Sequence, residues 1–209
     1  MAGAKRNPAQ PAEVRRYQIV GAVLEIIAEK GLEQLTTAEV ARRLGIAEAT
    51  IFKHFGSKGE MLREAVRVFT KALLEKAESK VAADLPAAEK LVLLLRLHFQ
   101  TLREQGGIPR LIFGEHLHLK DEIVRHTIRE TIRRYKEMVA AVLRQGVREG
   151  TFRHNLECAT AATLYMGLVQ VTVFHWLLEN KALPAEEEID RLGRFLVECF
   201  GAPPIPAQQ

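Results

Sequence analysis

The sequence predicts an all-α protein of about nine helices. Apolar residues recur at intervals of three and four along most of the chain, which is the spacing of one helix face. Ala, Leu, Glu, Arg and Lys are abundant, whereas only 6% of the residues are aromatic, and this composition favours helices over strands. The 209 residues, of which 47% are hydrophobic, suffice for a small domain followed by a medium-sized one with a buried core.

Turn-forming residues divide the chain into helices of ordinary length. Gly31 ends the first helix, Pro86 follows the fourth, Pro109 lies between the fifth and sixth, and Gly150 ends the seventh. The predicted helices cover about residues 14–30, 37–44, 48–54, 58–83, 87–105, 110–119, 121–149, 156–180 and 185–200.

Two short helices joined by a glycine turn are predicted between Thr36 and Phe55. Val40 and Leu44 lie four residues apart and therefore share one face of the first of these helices. Gly45 can adopt the positive φ that ends a helix. This arrangement is that of a helix-turn-helix, which reads DNA with its second helix.

The second of these helices, at about residues 48–54, is too short to be stable alone in water. Ile46 and Ile51 are expected to pack in the corner between the two helices, which leaves Thr50, Lys53 and His54 pointing outward. A polar helix held away from the protein body in this way is suited to entering a DNA groove.

Two capping boxes mark helix starts in this segment. Thr36 is followed three residues later by Glu39, and Ser57 is followed three residues later by Glu60. The boxes predict that helices begin just after Thr36 and just after Ser57, at the two ends of the helix-turn-helix.

Residues 14–62 resemble the DNA-binding segment of the TetR family of bacterial one-component transcriptional repressors. The residues that carry the resemblance are Gly31, Thr36, Val40, Ala41, Leu44, Gly45, Ile46, Thr50, Phe52, His54, Phe55, Ser57 and Lys58. The resemblance implies a three-helix DNA-binding domain at residues 13–58 and a helical domain at 59–203 that binds a small effector and dimerises. It also implies a homodimer whose recognition helices enter successive major grooves of a palindromic, double-stranded operator.

The resemblance assigns DNA contacts residue by residue. Thr36 would cap the second helix, and Lys58 would meet a phosphate at the start of the fourth. The full predicted set is Thr36, Thr37, Ala47, Glu48, Ala49, Thr50, Phe52, Lys53, His54 and Lys58. Phe52 departs from the family pattern because a tyrosine is usual there, and its missing hydroxyl removes a phosphate donor. Ala47 replaces a common capping residue, and Gly59 replaces a common acidic residue.

The predicted eighth helix contains no formally charged residue between Cys158 and Leu178. Such a run is long enough to span a membrane, but it also suits a helix that is buried on two sides. We favour burial, with one side against the core and the other against a second subunit. Residues 145–153 and this helix also resemble the C-terminal domains of the TetR family, whose last two helices form a four-helix bundle in the dimer. The predicted interface consists of Leu164, Leu168, Val171, His175, Leu178, Leu192, Phe195 and Leu196.

The effector pocket implied by the resemblance lies among the fourth to eighth helices. Aromatic residues with a few polar tips suit a medium-sized, mostly apolar ligand. The candidates by position are Phe99, Leu102, Phe113, Tyr135, Met138, Tyr165, Met166, Gln170 and Trp176. We interpret His98 as a hydrogen-bonded core histidine.

The remaining chemistry in the sequence favours a regulator over an enzyme. No catalytic motif or phosphate-binding glycine loop is present, so we expect neither catalysis nor a cofactor. A group of polar side chains could bind a metal, although we favour ordinary polar roles for it: Glu115, His116, His118, Glu122 and His126. The two cysteines lack metal-site spacing and are interpreted as packing residues.

The charge and the N-terminal sequence are consistent with a cytoplasmic DNA-binding protein but do not by themselves predict one. The formal net charge of +4, from 30 basic and 26 acidic residues, permits binding to nucleic acid without requiring it. The N-terminus lacks the apolar run of a signal peptide, so a cytoplasmic protein that does not enter the membrane is expected. Two alternatives stay open, namely a DNA-binding protein of this fold that is controlled by a protein partner and a metal-responsive sensor.

Overall fold

The computed structural model describes residues 11–113, 121–179 and 183–201. These residues form nine α-helices and no named strand. The helices are α1 (Ala12–Lys30), α2 (Thr37–Leu44), α3 (Glu48–Phe52), α4 (Lys58–Val81), α5 (Ala87–Glu104), α6 (Gly107–Phe113), α7 (Glu122–Arg148), α8 (Cys158–Glu179) and α9 (Glu186–Phe200). The prediction of an all-α fold with a helix-turn-helix near its N-terminus is confirmed.

Several helix boundaries differ from the predicted ones for local reasons. α3 ends at Phe52, before Lys53 and His54, which form a turn. α6 begins at Gly107, so Pro109 lies in its first turn, where the missing proline N–H costs no hydrogen bond. A short 3-10 helix, Leu32–Gln34, was not predicted.

One cluster of buried apolar side chains extends from α1 to α9. α7 packs against α4, α5 and α8, and α5 packs against α9. α1 belongs to the helix-turn-helix but also packs on α4 and α6, so the N-terminal unit rests directly on the C-terminal helices. The Asp121 carboxylate caps α7 by accepting from the amides of Ile123 and Val124, and it also accepts from Arg63 Nε on α4 at 2.8 Å.

The contact between α1 and α6 is unusually close because Gly107 has no side chain. A Cβ atom on Gly107 would lie 2.3 Å from the carbonyl oxygen of Leu24 in α1. The backbones of the two helices therefore touch, and neither can shift toward the other.

α8 has the composition that raised the membrane alternative in the sequence. Among the described residues it is the one helix long and apolar enough to cross a membrane by length and composition, with a mean hydropathy of 1.4. One side of it packs into the core through Ala162, Tyr165, Val169 and Val173. Its position among the other helices is that of a core helix with one open side.

Candidate functional site

Local hydrogen bonds fix the geometry of the helix-turn-helix. The Thr36 hydroxyl caps α2 by accepting from the Glu39 amide at 3.1 Å. Gly45 has φ 63° and ψ 35°, its amide donates to the carbonyl of Arg42, and the next amide, of Ile46, donates to that of Ala41. This pair of bonds ends a helix in the left-handed conformation that glycine adopts without strain. The chain then turns directly into α3.

Apolar contacts hold α3 from beneath, as the sequence predicted. Val40, Ala41 and Ile51 are buried, and Phe55 anchors the turn that follows. Arg16 of α1 stacks over the Phe55 ring at 4.2 Å, and its Nη1 donates to the His54 carbonyl at 2.5 Å. α1 therefore determines where the recognition helix stands.

The outward side of α3 and the turn that follows it carry exposed residues that were predicted to contact DNA. Phe52 is 54% exposed, and Lys53 is also exposed. The Thr37 hydroxyl donates to the Glu48 carboxylate, which joins the starts of α2 and α3. Ala47 precedes α3 without any side-chain capping bond, whereas the Ser57 hydroxyl caps α4 by accepting from the Glu60 amide.

Most of the cations near α2 are engaged by carboxylates of the same chain. Glu39 accepts from Arg42 and from Lys30, and these hydrogen bonds lower the pKa of Glu39 to about 2. Arg43 is paired with Glu25 and Glu29 of α1. In the described part of the helix-turn-helix, Lys53 makes no ion pair and so remains available to DNA.

Lys58 lies where a phosphate contact was predicted, but its ammonium already has a partner. Its Nζ donates to the Leu32 carbonyl at 2.8 Å, and partial burial lowers the pKa of Lys58. Lys58 thereby ties the start of α4 to the loop that follows α1. An ammonium has two further donors, so a phosphate contact would be additional to this structural role.

An apolar cavity of about 80 Å³ lies among α4 to α8. Its lining comprises Phe69, Thr70, Leu73, His98, Leu102, Pro109, Ile112, Ile128, Thr131, Ile132, Tyr135, Met166, Val169, Gln170 and Val173. The hydroxyls of Thr70 and Thr131 donate to carbonyls within their own helices, and that of Tyr135 donates to the Leu94 carbonyl. The polar groups of the lining are therefore largely occupied, and the cavity is suited to a hydrocarbon chain.

His98 is a buried polar group of the lining whose Nδ1 has no such partner. It is buried, makes no hydrogen bond within the described chain, and packs edge-on against the Tyr135 ring at 5.0 Å. Burial lowers the pKa of His98 to about 4, so the imidazole is neutral near pH 7. His98 is a core histidine, as interpreted, but its Nδ1 is buried without the expected hydrogen-bond partner.

The structure brings part of the predicted pocket together. Leu102, Tyr135, Met166 and Gln170 line the cavity. Four other predicted residues, Phe99, Met138, Tyr165 and Trp176, are absent from its lining, and the Phe113 side chain lies outside the described residues. The α4 residues of the lining, Phe69, Thr70 and Leu73, were not among the candidates, because the apolar spacing along that helix does not show which of its residues face a void.

The residues predicted for the dimer interface fall into two groups. Leu164, Val171, Leu178 and Phe195 are all more than half exposed, and His175 is exposed beside them. Leu168 and Leu192 are partly buried, whereas Leu196 is buried in the core of its own chain. Phe174, which was not predicted, adds to the exposed apolar side of α8.

The metal hypothesis concerns residues that are mostly outside the described chain. Glu115, His116 and His118 are not described, whereas Glu122 is paired with Arg125 at the start of α7. The described residues contain no group of three side chains that could hold a metal ion.

This arrangement defines a DNA-binding transcriptional regulator whose helix-turn-helix rests on a ligand-binding helical domain. Comparison with known proteins agrees. Residues 19–65 match the bacterial regulatory proteins of the tetR family, and residues 69–199 match the C-terminal region of YsiA-like protein. The chain belongs to the TetR family, as its sequence predicted.

Three relatives illustrate the range of this similarity. A fatty acid metabolism regulator protein of Bacillus subtilis (strain 168) is 26% identical over 166 residues, which are 78% of this chain and 84% of the relative. The nucleoid occlusion factor SlmA of Vibrio vulnificus (strain YJ016) is 26% identical over 152 residues, 72% and 74% of the two chains. The crystal structure of the regulator FadR from Bacillus subtilis in complex with stearoyl-CoA has a TM-score of 0.69 at 24% identity, covering 88% and 97%.

Proposed function

We propose that the protein is a homodimeric, cytoplasmic repressor that binds a palindromic DNA operator and is released by a fatty-acyl thioester. Residues 13–58 would bind DNA, and residues 59–203 would bind the effector and form the dimer. The cavity supports an apolar chain as the ligand. The relatives supply the chemical class, since one regulates fatty acid metabolism and another is in complex with stearoyl-CoA.

The observation that carries this proposal is the position of α6. Pro109 and Ile112 of α6 line the cavity, whereas Gly107 of the same helix touches the α1 backbone at Leu24. Ligand pockets usually measure about 300–1,000 Å³, so a long acyl chain must displace the helices around an 80 Å³ cavity. Because α6 cannot yield toward α1, its displacement would move α1 and the recognition helix with it.

The exposed side of α8 supports the homodimer. Leu164, Val171 and Leu178 recur every seven residues and are all more than half exposed, with Phe195 of α9 also exposed. A contiguous exposed apolar strip is unusual on a monomer and typical of a subunit interface. Val171→Glu should therefore give monomers in analytical ultracentrifugation and weaken operator binding. A wild-type chain that sediments as a monomer while binding its operator would contradict this part.

The effector is tested with an operator selected from random duplex DNA. Dodecanoyl-CoA should lower the affinity of the wild-type protein for this operator, and the operator should lower the affinity for dodecanoyl-CoA by the same factor. Met166→Trp, which fills the cavity, should weaken ligand binding and leave operator binding without ligand nearly unchanged. Gln100→Trp, at an exposed position of α5 outside the cavity lining, serves as a control for adding an indole. Ligand binding that leaves operator affinity unchanged would contradict the proposal.

Control by a protein partner is a second candidate, because one relative is a nucleoid occlusion factor and its name gives no small-molecule ligand. In that case the cavity would be ordinary packing imperfection, and no acyl thioester would raise the melting temperature of the protein. Binding of a native-state ligand raises it by mass action, so a thermal-shift series with acyl thioesters and divalent metals separates the candidates.

A further inference from the structure

A basic groove of about 630 Å³ lies between α7 and α8, next to the cavity. Four α7 cations line it, namely Arg129, Arg133, Lys136 and Arg144, against a single acidic residue of the lining, Glu137. The α8 side of the groove is made of small residues, Ala159, Thr160, Ala162 and Thr163. Small side chains on one wall and long cations on the other leave room for a polar ligand.

Two of these cations have no counterion within the described chain. Arg133 is held by Glu130 and Glu137, with both distances 2.5 Å, and Arg129 lies 4.0 Å from Glu122. Lys136 and Arg144 make no hydrogen bond or ion pair with the described residues. The groove therefore carries uncompensated positive charge, which attracts an anion.

The groove and the cavity meet at α7. Ile132 lines both of them. On α8, Ala162 faces the groove and Met166, one turn later, faces the cavity. An apolar chain that fills the cavity and leaves it past Ile132 would emerge among the cations. None of the exposed apolar residues Leu164, Val171 and Leu178 lines the groove.

We propose that this groove binds the phosphates of the effector's head group, with Lys136 and Arg144 as the principal phosphate contacts. The assignment rests on the proposed acyl-thioester function and extends it by locating the head of the ligand. Phosphate groups suit the site because several cations are spread along one helix face, whereas a lone carboxylate could engage only one or two of them.

The test compares two ligands that share an acyl chain and a thioester. Dodecanoyl-CoA carries phosphates, and the dodecanoyl thioester of N-acetylcysteamine carries none. In calorimetry, Lys136→Ala/Arg144→Ala should lower the affinity for dodecanoyl-CoA by about tenfold or more. The affinity for the N-acetylcysteamine thioester should stay within about twofold of the wild-type value. The salt dependence of dodecanoyl-CoA binding should fall in the same variant.

The control is Lys80→Ala/Arg148→Ala, which removes the same charge from two exposed positions outside the groove. It should leave both affinities near the wild-type values. The groove assignment would be overturned if Lys136→Ala/Arg144→Ala weakened the binding of both ligands equally. It would also be overturned if the two double variants weakened the binding of dodecanoyl-CoA equally. Either result would leave the acyl-thioester function standing. Wild-type protein that binds neither ligand would overturn both.

Discussion

The helix-turn-helix and the ligand cavity are constructed from the chain in opposite ways. The first is fixed by short-range hydrogen bonds, such as that from the Glu39 amide to the Thr36 hydroxyl, and by ion pairs on its surface. The second draws its lining from five helices between Phe69 and Val173, and its polar groups are mostly satisfied by their own helices. A DNA-reading surface must keep one shape, whereas a small apolar cavity can enlarge by moving whole helices. The difference teaches that the site of recognition and the site of control meet where α1 packs on α6 and α4, both of which line the cavity.

Gly107→Ala changes the contact between α1 and α6 and should have the largest effect on stability. The new methyl group would lie 2.3 Å from the Leu24 carbonyl oxygen, so α1 and α6 must separate. Overpacking typically costs about 1–3 kcal/mol of the free energy of unfolding, and a clash this close with a backbone atom belongs at the upper end of that range. Urea unfolding measures the loss, and operator binding with and without ligand measures whether the two regions still communicate.

Gly21→Ala is the matched control, because it makes the same chemical change within α1. A Cβ at Gly21 meets no atom within 4 Å, and an alanine in a helix is more favourable than a glycine by up to about 1 kcal/mol. Gly21→Ala should therefore raise stability slightly. Equal stability of the two variants would mean that the close contact between α1 and α6 does not exist in solution.

His98 gives the stability of the cavity region a dependence on pH. Its pKa is about 4 in the folded chain and about 6.5 in an unfolded one, so between these values the unfolded chain binds the extra proton. The free energy of unfolding should be unaffected by this group above pH 7 and should fall as pH drops from 6.5, by about 2 kcal/mol at pH 5. Urea titrations from pH 7.5 to 4.5 measure the decline.

His98→Leu should remove this part of the decline and should stabilise the protein at pH 7, because the buried Nδ1 has no hydrogen-bond partner. Parallel pH profiles for wild-type and variant protein would mean that His98 finds a partner or water in solution.

The two lysines near α3 should have different roles, one in DNA binding and one mainly in stability. Lys53 is exposed and unpaired, whereas Lys58 donates to the Leu32 carbonyl. Lys53→Ala should weaken operator binding by about 1 kcal/mol or more, and the operator preference should fall if Lys53 reaches a base edge. Lys58→Ala should lower the melting temperature, and it should reduce the salt slope by about 0.9 only if a phosphate is also bound. Fluorescence anisotropy on operator and unrelated DNA separates the two results.

The sequence predicted the DNA-binding end better than the cavity for a physical reason. Gly45, Ile51 and the Thr36 cap act within a few residues of one another, so their spacing alone defines their geometry. The cavity depends on how helices that are distant in the sequence cross. Apolar periodicity predicts that both Leu73 and Phe99 are buried, but it cannot show that Leu73 lines the cavity whereas Phe99 does not. The unsatisfied state of His98 likewise depends on neighbours from other helices.

Phe52→Tyr should have the smallest effect and the most local one. Phe52 ends α3, is 54% exposed and stands among the residues predicted to contact DNA. A hydroxyl at the ring tip would add one phosphate donor, which is worth about 1 kcal/mol, or roughly a fivefold gain in DNA affinity. Because a phosphate contact carries no sequence information, the gain should be similar on operator and unrelated DNA. Since the ring is already exposed, the melting temperature should not change, and unchanged or weaker binding would mean that Phe52 does not face the DNA backbone.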